Sequence, residues 1–396
     1  MEKKIKVIFL LHDSVLNGGA TRSMLDVIIK LKIMNLIEPI IIYPDKDESM
    51  LELLNKYKIK YYHVKYSTWF YSQNMKFVNK IIFILKSLIK HVISYINYFK
   101  IKKIIKENNV DVIYTNTMTV YIGCYINKKM KIPHVWHIRE FGEEDHGITH
   151  IFGKQKFCEL LNNYCDKLIF ISNALKNKYS DQIKDRSKIN VIYDDISTDF
   201  DNPKVTFNLE MKNQLNIAMI GSISEGKGQL ETLKAIKILK NENIKLYIAG
   251  EIRKDKYNVK LKRYIIDNEL ENKVVFTGYI QDINNFRKKM DIGIVASKSE
   301  AFGRTTIEGM LSQMLIIASK AGSNIELIKD GINGFLYELN NEQELANIIL
   351  NMYNNREEMR KISINGYEYA NNFTLGIAAD KIYKIVKELS DNENLK

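Results

Sequence analysis

The chain has 396 residues, of which 45% are hydrophobic and 10% aromatic, and its 59 Lys and Arg against 47 Asp and Glu give a formal net charge of +12. This composition excludes an intrinsically disordered chain, and three cysteines without a CxxC pattern exclude a disulfide scaffold and suggest a reducing compartment. At roughly 100–200 residues per domain, the length predicts two domains with full cores.

The N-terminal segment carries no secretory signal, because its short apolar run fits a first β-strand better. No uncharged apolar stretch reaches the roughly 18 residues of a membrane span. We therefore expect a cytoplasmic globular protein. The positive charge predicts an anionic partner, but charge alone does not choose between nucleic acid, phospholipid and a phosphorylated substrate.

Short β-branched segments alternate with helical periodicity along almost the whole chain. This alternation predicts an α/β protein whose doubly wound, Rossmann-like parallel sheets are covered by helices on both faces. The predicted strands are Ile5–Leu11, Pro39–Tyr43, Val110–Thr115, His134–Ile138, Lys167–Ile171, Lys188–Tyr193, Leu215–Ile220, Ile244–Ala249, Lys273–Thr277, Asp291–Ala296 and Leu315–Ser319. The predicted helices include Thr21–Met34, Asn173–Ile183, Lys227–Lys240, Arg304–Ser312 and Leu375–Leu389.

The segment 194–211 is rich in acidic and helix-breaking residues and has no periodicity, so it predicts a domain boundary. We assign residues 1–200 to an N-terminal domain and residues 201–374 to a C-terminal domain. In open α/β sheets, ligands bind at the carboxyl ends of the strands. Two such domains most naturally face each other across a cleft.

The segment 76–106 departs from this rhythm, because it predicts one long helix with eight Lys and no acidic residue. Lysines and small polar residues fall on one half of the helical wheel and apolar residues on the other. One interpretation is a basic amphipathic surface that contacts anionic lipid, as a peripheral contact at the inner face of the plasma membrane. The other is an ordinary core helix with a solvated lysine face, and the sequence does not choose between them.

The stretch Ser297–Tyr337 contains two carboxylates, Glu300 and Glu308, on either side of a predicted helix start. Glu300 follows a predicted strand, and the first N–H groups of the helix form an open anion site. A phosphate there, flanked by carboxylates that accept sugar hydroxyls, suits a nucleotide-sugar. Taken alone, the two carboxylates could equally do no more than complement the helix dipole.

Together with Glu326 and the turn DGINGF that starts at Asp330, this stretch resembles the E-x7-E signature of the retaining glycosyltransferases of family 4. The resemblance implies the two-domain GT-B fold, with a C-terminal helix of residues 375–396 that crosses back to the first domain. It also implies that Glu300 acts in catalysis by binding donor-sugar hydroxyls and that Glu308 binds the ribose. The backbone of Phe302, Gly303, Arg304 and Thr305 would face the diphosphate and the sugar.

The block GSISEGKG, residues 221–228, resembles the glycine-rich turn of the same family. The resemblance implies that Lys227 contacts the donor diphosphate. The family commonly has a basic residue where this chain has Ser222, so one cation is missing at the leaving group, and Arg304 is our candidate to compensate. The turn at Gly278 and Tyr279 resembles the place where the nucleotide base lies.

In the first domain, Gly18 and Gly19 resemble the family's first βα loop, which borders donor and acceptor. His137 matches the loop histidine that faces the transferred sugar, and Arg139 follows it on the same loop as a candidate substrate ligand. The adjacent carboxylates of Asp194 and Asp195 read as an interdomain hinge rather than as metal ligands.

If the family's chemistry is inherited, the protein transfers a sugar with retention of configuration from a nucleoside diphosphate of the UDP or GDP type. Fixed cations and backbone dipoles hold the leaving group, so no metal and no cofactor is expected. The acceptor would be a saccharide or a lipid-linked saccharide of cell-surface polysaccharide assembly. A nucleotide-sugar epimerase of the same architecture and a non-catalytic membrane-surface binder are the alternatives, whereas no motif of a nucleic-acid module is present.

Overall fold

The computed structural model describes residues 4–16, 19–45, 47, 49–72, 77–196 and 214–394. The chain divides into two compact units. Unit 1 contains Met1–Asp195 together with Gly376–Lys396, and unit 2 contains Ile196–Leu375.

Unit 1 is built on a seven-stranded sheet in which all neighbouring strands are parallel. Its strand order is β3-β2-β1-β5-β6-β8-β9, which is that of a doubly wound α/β fold. The elements are β1 (Ile5–Leu10), α1 (Gly19–Ile33), β2 (Ile37–Tyr43), α2 (Leu51–Lys56), β3 (Lys60–His63), β4 (Phe70–Ser72), α3 (Phe77–Asn108), β5 (Val112–Asn116), α4 (Ile122–Met130), β6 (His134–Ile138), α5 (Glu143–His146), β7 (Ile148–His150), α6 (Gly153–Asn163), β8 (Lys167–Phe170), α7 (Asn173–Ser180) and β9 (Ile189–Val191).

Unit 2 carries a six-stranded sheet of order β12-β11-β10-β13-β14-β15, again with parallel neighbours throughout. Its elements are β10 (Leu215–Ile220), α8 (Gln229–Ile238), β11 (Ile244–Ala249), α9 (Lys256–Asp267), β12 (Val274–Gly278), α10 (Ile283–Arg287), β13 (Ile292–Val295), α11 (Arg304–Leu311), β14 (Leu315–Ser319), α12 (Asn324–Leu327), β15 (Phe335–Tyr337), α13 (Glu342–Asn354) and α14 (Arg356–Ala370).

The last helix, α15 (Ile377–Asn394), belongs to unit 1. Its apolar face, including Ala379 and Ile382, packs into the same core as β1 and α1. The carboxylate of Asp195 accepts hydrogen bonds from the N–H groups of Ala378 and Ala379 at 3.2 Å, which caps the start of the helix. The prediction that the C-terminal helix crosses back to the first domain is confirmed.

Helix α3 is as long as predicted, but its buried side differs from that of an ordinary core helix with a solvated lysine face. Ser87, Ser94 and Asn97, which the wheel placed beside the lysines, are buried. Ser94 Oγ accepts the N–H of Ser67 at 2.8 Å, and Asn97 donates to the carbonyl of Lys65 at 2.8 Å. The exposed side is apolar and includes Ile82, Leu85, Ile89, Val92, Ile93, Tyr95, Ile96 and Phe99.

The short strands β4 and β7 form a separate antiparallel pair that the sequence did not predict, because each has only three residues. Within the residues that the structure describes, no helix combines the length and the hydrophobicity that a membrane span requires.

Candidate active site

Two loops at the carboxyl ends of β10 and β13 form the centre of the candidate site in unit 2. The N–H of Lys298 donates to the carbonyl of Gly226 at 2.8 Å, so the two loops are held together. Gly228 has φ +71°, and a Cβ at this position would lie 2.2 Å from the carbonyl oxygen of Ala296. Only glycine allows this close approach, which explains the glycine at this position.

The loop contact brings Lys227 and Glu300 together, although 73 residues separate them in the chain. Lys227 Nζ lies 3.0 Å from Glu300 Oε2, and the two side chains are 36% and 15% exposed. Both line a pocket that opens to solvent and that also includes Ser297 and Thr305. The pair therefore stays accessible to a ligand.

The same pocket borders the N-terminus of α11. Gly303, with φ +87°, precedes the first residue of this helix, and Thr305 lines the pocket. The ring of Phe302 is buried and lies 6.0 Å from the ring of Phe373, so that only the backbone of Phe302 remains for a ligand. The open amides of a helix N-terminus attract anions.

Glu308 lies one turn into α11 and is held by two guanidinium groups. Its Oε1 is 2.7 Å from Nε of Arg304, and its Oε2 pairs with Nη2 of Arg287. Arg287 is buried at the end of α10, and the sequence reasoning did not identify it. Arg304, our candidate cation for the leaving group, pairs with Glu308 in the structure, and its contact with the leaving group remains a prediction.

The remaining candidates of unit 2 lie on neighbouring turns. Ser222 is exposed, and its carbonyl accepts a hydrogen bond from Gln229 at 3.0 Å. Gly278 ends β12, and its carbonyl accepts the N–H of Gly250 at 3.0 Å. Tyr279 beside it is 68% exposed. Their assignment to substrate binding remains a prediction.

In unit 1, His137 lies near the carboxyl end of β6 and is fully buried. Its Nδ1 is 2.9 Å from the hydroxyl of Tyr114, whereas its buried Nε2 has no hydrogen-bond partner within the described part of the chain. Burial, together with the positive charge of Arg139, lowers the pKa of His137 well below its usual value. The imidazole is therefore neutral at physiological pH.

Arg139 is not placed like a substrate ligand. Its side chain is only 2% exposed, and Nη1 lies 2.8 and 2.6 Å from the two carboxylate oxygens of Asp194. Its Nε donates to Asn116 Oδ1 at 2.6 Å. The guanidinium is thus engaged inside unit 1, which argues against the predicted substrate contact. The adjacent carboxylates of Asp194 and Asp195 have separate tasks, because Asp194 neutralises Arg139 and Asp195 caps α15.

Of the first βα loop, Gly19 begins α1, and Gly18 lies outside the described residues. The structure adds two residues that sequence reasoning passed over, because His12 Nε2 lies 3.1 Å from Asp13 Oδ2. Burial alone would lower the pKa of His12, but the hydrogen bond and charge of Asp13 outweigh it and raise this pKa.

Two parallel sheets of this topology, joined by a helix that returns to the first unit, define a glycosyltransferase fold of the GT-B type. The family model "Glycosyltransferase Family 4" matches residues 17–200, and the model "Glycosyl transferases group 1" matches residues 202–369. The chain therefore belongs to the glycosyltransferases of family 4 and is a glycosyltransferase.

Known proteins agree with this assignment. An uncharacterized glycosyltransferase of Methanocaldococcus jannaschii is 28% identical over 370 residues, which cover 91% of this chain and 99% of that protein. The capsular polysaccharide biosynthesis glycosyltransferase CapM of Staphylococcus aureus is 22% identical over 217 residues, 52% of this chain and 57% of CapM. The structure of Anabaena HepE in complex with UDP-glucose superposes with a TM-score of 0.74 at 21% identity and covers 96% of this chain and 99% of HepE.

Proposed function

We propose that this glycosyltransferase uses a nucleoside-diphosphate sugar of the UDP or GDP type and retains the anomeric configuration of the transferred sugar. The observation that carries the proposal is the accessible Lys227–Glu300 pair at the N-terminus of α11. An ammonium and helix amides beside a carboxylate suit a pyrophosphate linked to a sugar. The UDP-glucose complex of HepE supports a donor of this kind.

In the proposed reaction, the bond between the anomeric carbon and the phosphate oxygen breaks. The acceptor oxygen forms its bond to the same face of that carbon, and the acceptor's proton passes to the departing phosphate oxygen. Lys227 and the amides near Gly303 stabilise the negative charge of the leaving diphosphate. Glu300 accepts hydrogen bonds from hydroxyls of the donor sugar, and Glu308 accepts them from hydroxyls of the ribose. His137 orients the transferred sugar.

We place the acceptor among saccharides or lipid-linked saccharides of cell-surface polysaccharide biosynthesis. The similarity to CapM, whose name assigns it to capsular polysaccharide biosynthesis, supports this choice. Transfer of radiolabelled sugar from the donor to an extractable glycolipid or oligosaccharide tests it. An isomerised free nucleotide-sugar as the only product would instead favour an epimerase.

The exposed apolar side of α3 supports a peripheral contact with an anionic membrane surface. Leu85, Val92 and Ile96 are 57%, 60% and 58% exposed on this side. Exposed lysines of the same helix, among them Lys86, Lys100 and Lys103, can pair with lipid phosphates. Each lysine near an anionic surface contributes about 1 kcal/mol, so binding is expected to weaken with salt.

Sedimentation with vesicles of phosphatidylglycerol and phosphatidylcholine, at low and high salt, measures this contact. We expect binding to the mixed vesicles at low salt and its loss in the variant Leu85→Glu/Val92→Glu. The matched control is Val259→Glu on α9, because Val259 is 64% exposed in unit 2. Equal binding by all three proteins, or none by any, would contradict the contact.

A thermal-shift panel of nucleoside diphosphates and their sugars tests the donor. We expect one nucleoside diphosphate to raise the melting temperature of the wild-type chain but not that of Lys227→Ala. The anomeric configuration of the product, read from its ¹H coupling constant, then tests retention. A product of inverted configuration would contradict the mechanism while leaving the donor assignment intact.

A further inference from the structure

His137 has polar neighbours in unit 1 that the proposed sugar contact does not involve. Two polar groups contact its Nδ1, the hydroxyl of Tyr114 at 2.9 Å and Nη2 of Arg139 at 3.3 Å, and the carboxylate of Asp194 binds the other terminal nitrogen of Arg139. Strand β8 contributes only the apolar Ile169 as the register partner of His137.

The hydrogen-bond donors around His137 decide which tautomer its neutral imidazole adopts. A guanidinium has N–H donors and no acceptor, so Nδ1 of His137 has to accept from Arg139. The Tyr114 hydroxyl can donate to the same lone pair. A proton on Nδ1 would lie beside the cationic Nη2 of Arg139, 3.3 Å away, which offers no acceptor. The proton of the neutral ring therefore belongs on Nε2.

Arg139 is itself fixed from two directions. Asp194 binds Nη1 through both carboxylate oxygens, and Asn116 accepts from Nε at 2.6 Å. Asn116 in turn donates to the carbonyl of Ala20, at the start of α1, at 3.2 Å. The guanidinium plane is thus set by β5, by the segment after β9 and, through Asn116, by the start of α1.

We propose that Arg139, held by Asp194 and assisted by Tyr114, is a positioning residue that keeps His137 in the tautomer with its proton on Nε2. That N–H has no hydrogen-bond partner among the residues that the structure describes, so it is the group that His137 offers as a donor to a hydroxyl or ring oxygen of the transferred sugar. This inference rests on the proposed role of His137. It replaces the predicted substrate contact of Arg139 with an indirect one.

A direct measurement of the tautomer is ¹⁵N NMR of the full chain labelled in histidine, with His137→Gln used to assign the ring signals. We expect a protonated-type Nε2 and an unprotonated-type Nδ1 shift between pH 6 and 8. In Arg139→Met/Asp194→Asn and in Tyr114→Phe, the two shifts should move towards each other as the ring loses its fixed partners. A proton on Nδ1 in the wild-type protein would overturn the inference.

Kinetics provide the second readout. The double variant removes both charges together, so that no single charge is left buried without a partner. Loss of an orienting partner should lower kcat at least about tenfold with little change in the donor KM, because binding by unit 2 is intact. Tyr114→Phe should have a smaller effect in the same direction. Unchanged kcat in both variants would contradict the positioning role.

The two readouts separate this inference from the proposed function. If His137→Gln retains full activity, the sugar contact of His137 is wrong, whatever the tautomer. If His137→Gln is inactive but the double variant keeps both its kcat and its tautomer, Arg139 does not position His137. As a control for folding, Arg186→Met/Asp181→Asn removes an exposed ion pair of unit 1 and should change neither readout.

Discussion

The two units carry ion pairs of opposite character. In unit 2, Lys227 and Glu300 meet at a pocket, and the lysine is 36% exposed. In unit 1, Arg139 and Asp194 are 2% and 5% exposed, with no room for a ligand between them. An exposed pair contributes about 0–1 kcal/mol to stability, whereas a buried one costs several kcal/mol to break. The accessible Lys227–Glu300 pair is therefore suited to separate so that each side chain binds substrate. The buried Arg139–Asp194 pair is suited to hold the structure of unit 1.

The largest expected effect is that of breaking the buried pair. Asp194→Ala leaves the buried charge of Arg139 without its carboxylate counter-charge, which should lower the free energy of unfolding by about 3–5 kcal/mol. Chemical denaturation monitored in unit 1 by hydrogen exchange checks this value. Arg139→Met/Asp194→Ala should recover much of the loss, and an Asp194→Ala protein as stable as wild type would remove the contrast between the two units.

Glu308→Ala should lower both the stability and the turnover of the protein. It leaves the buried Arg287 without its carboxylate, which should cost about 1–3 kcal/mol of stability. If Glu308 binds the donor, turnover should also fall at least about tenfold, or about 1.4 kcal/mol. Arg304→Ala is the matched control, because it removes the more exposed of the two guanidinium partners. A Glu308→Ala protein with full turnover would restrict Glu308 to a structural role.

Acid should destabilise unit 1 in particular, because all seven histidines fall between residues 12 and 150. Burial lowers the pKa of His134 and of His150 to about 4. Each histidine stays neutral in the folded protein but is protonated in the unfolded chain below about pH 6.5. Stability therefore falls as the pH drops from about 6.5 towards 4, by roughly 1–2 kcal/mol per histidine at pH 5. His12, whose pKa is raised, acts in the opposite direction.

Scanning calorimetry at pH 7 and pH 5, with hydrogen exchange to assign the transitions, measures this difference. The transition of unit 1 should move to lower temperature more than that of unit 2. In His134→Asn the shift should be smaller than in the wild type. Equal shifts of both units would mean that buried carboxylates, rather than histidines, dominate the response to acid.

The smallest expected effect on stability is that of Lys227→Ala, because its pair is partly solvated and contributes less than about 1 kcal/mol. Its turnover should nevertheless fall at least about tenfold if the ammonium stabilises the leaving diphosphate. Lys237→Ala, an exposed lysine on the following helix α8, is the control. Retained turnover in Lys227→Ala with an intact fold would overturn the assignment of this site.

Local patterns in the sequence were sufficient for the architecture. The alternation of β-branched segments with helical periodicity predicted the parallel sheets, and most predicted strands match observed ones to within a residue or two at each end. The strands β3, β4, β7 and β15 were not predicted, because segments of three or four residues seldom show a clear period. The pairing of Lys227 with Glu300 places two residues picked out by family resemblance side by side, although their spacing in the chain did not predict it.

The sequence alone determined the α/β class and the positions of the glycine turns and helix starts, because period and backbone conformation depend on neighbouring residues. Only the tertiary structure decided which charges are buried and which side of α3 is exposed. Arg139 and Asp194 lie 55 residues apart, and Ser67 and Ser94 lie 27 apart. Burial depends on such contacts between distant segments, so no local pattern distinguishes a charge that is buried and paired from one that is accessible to a ligand.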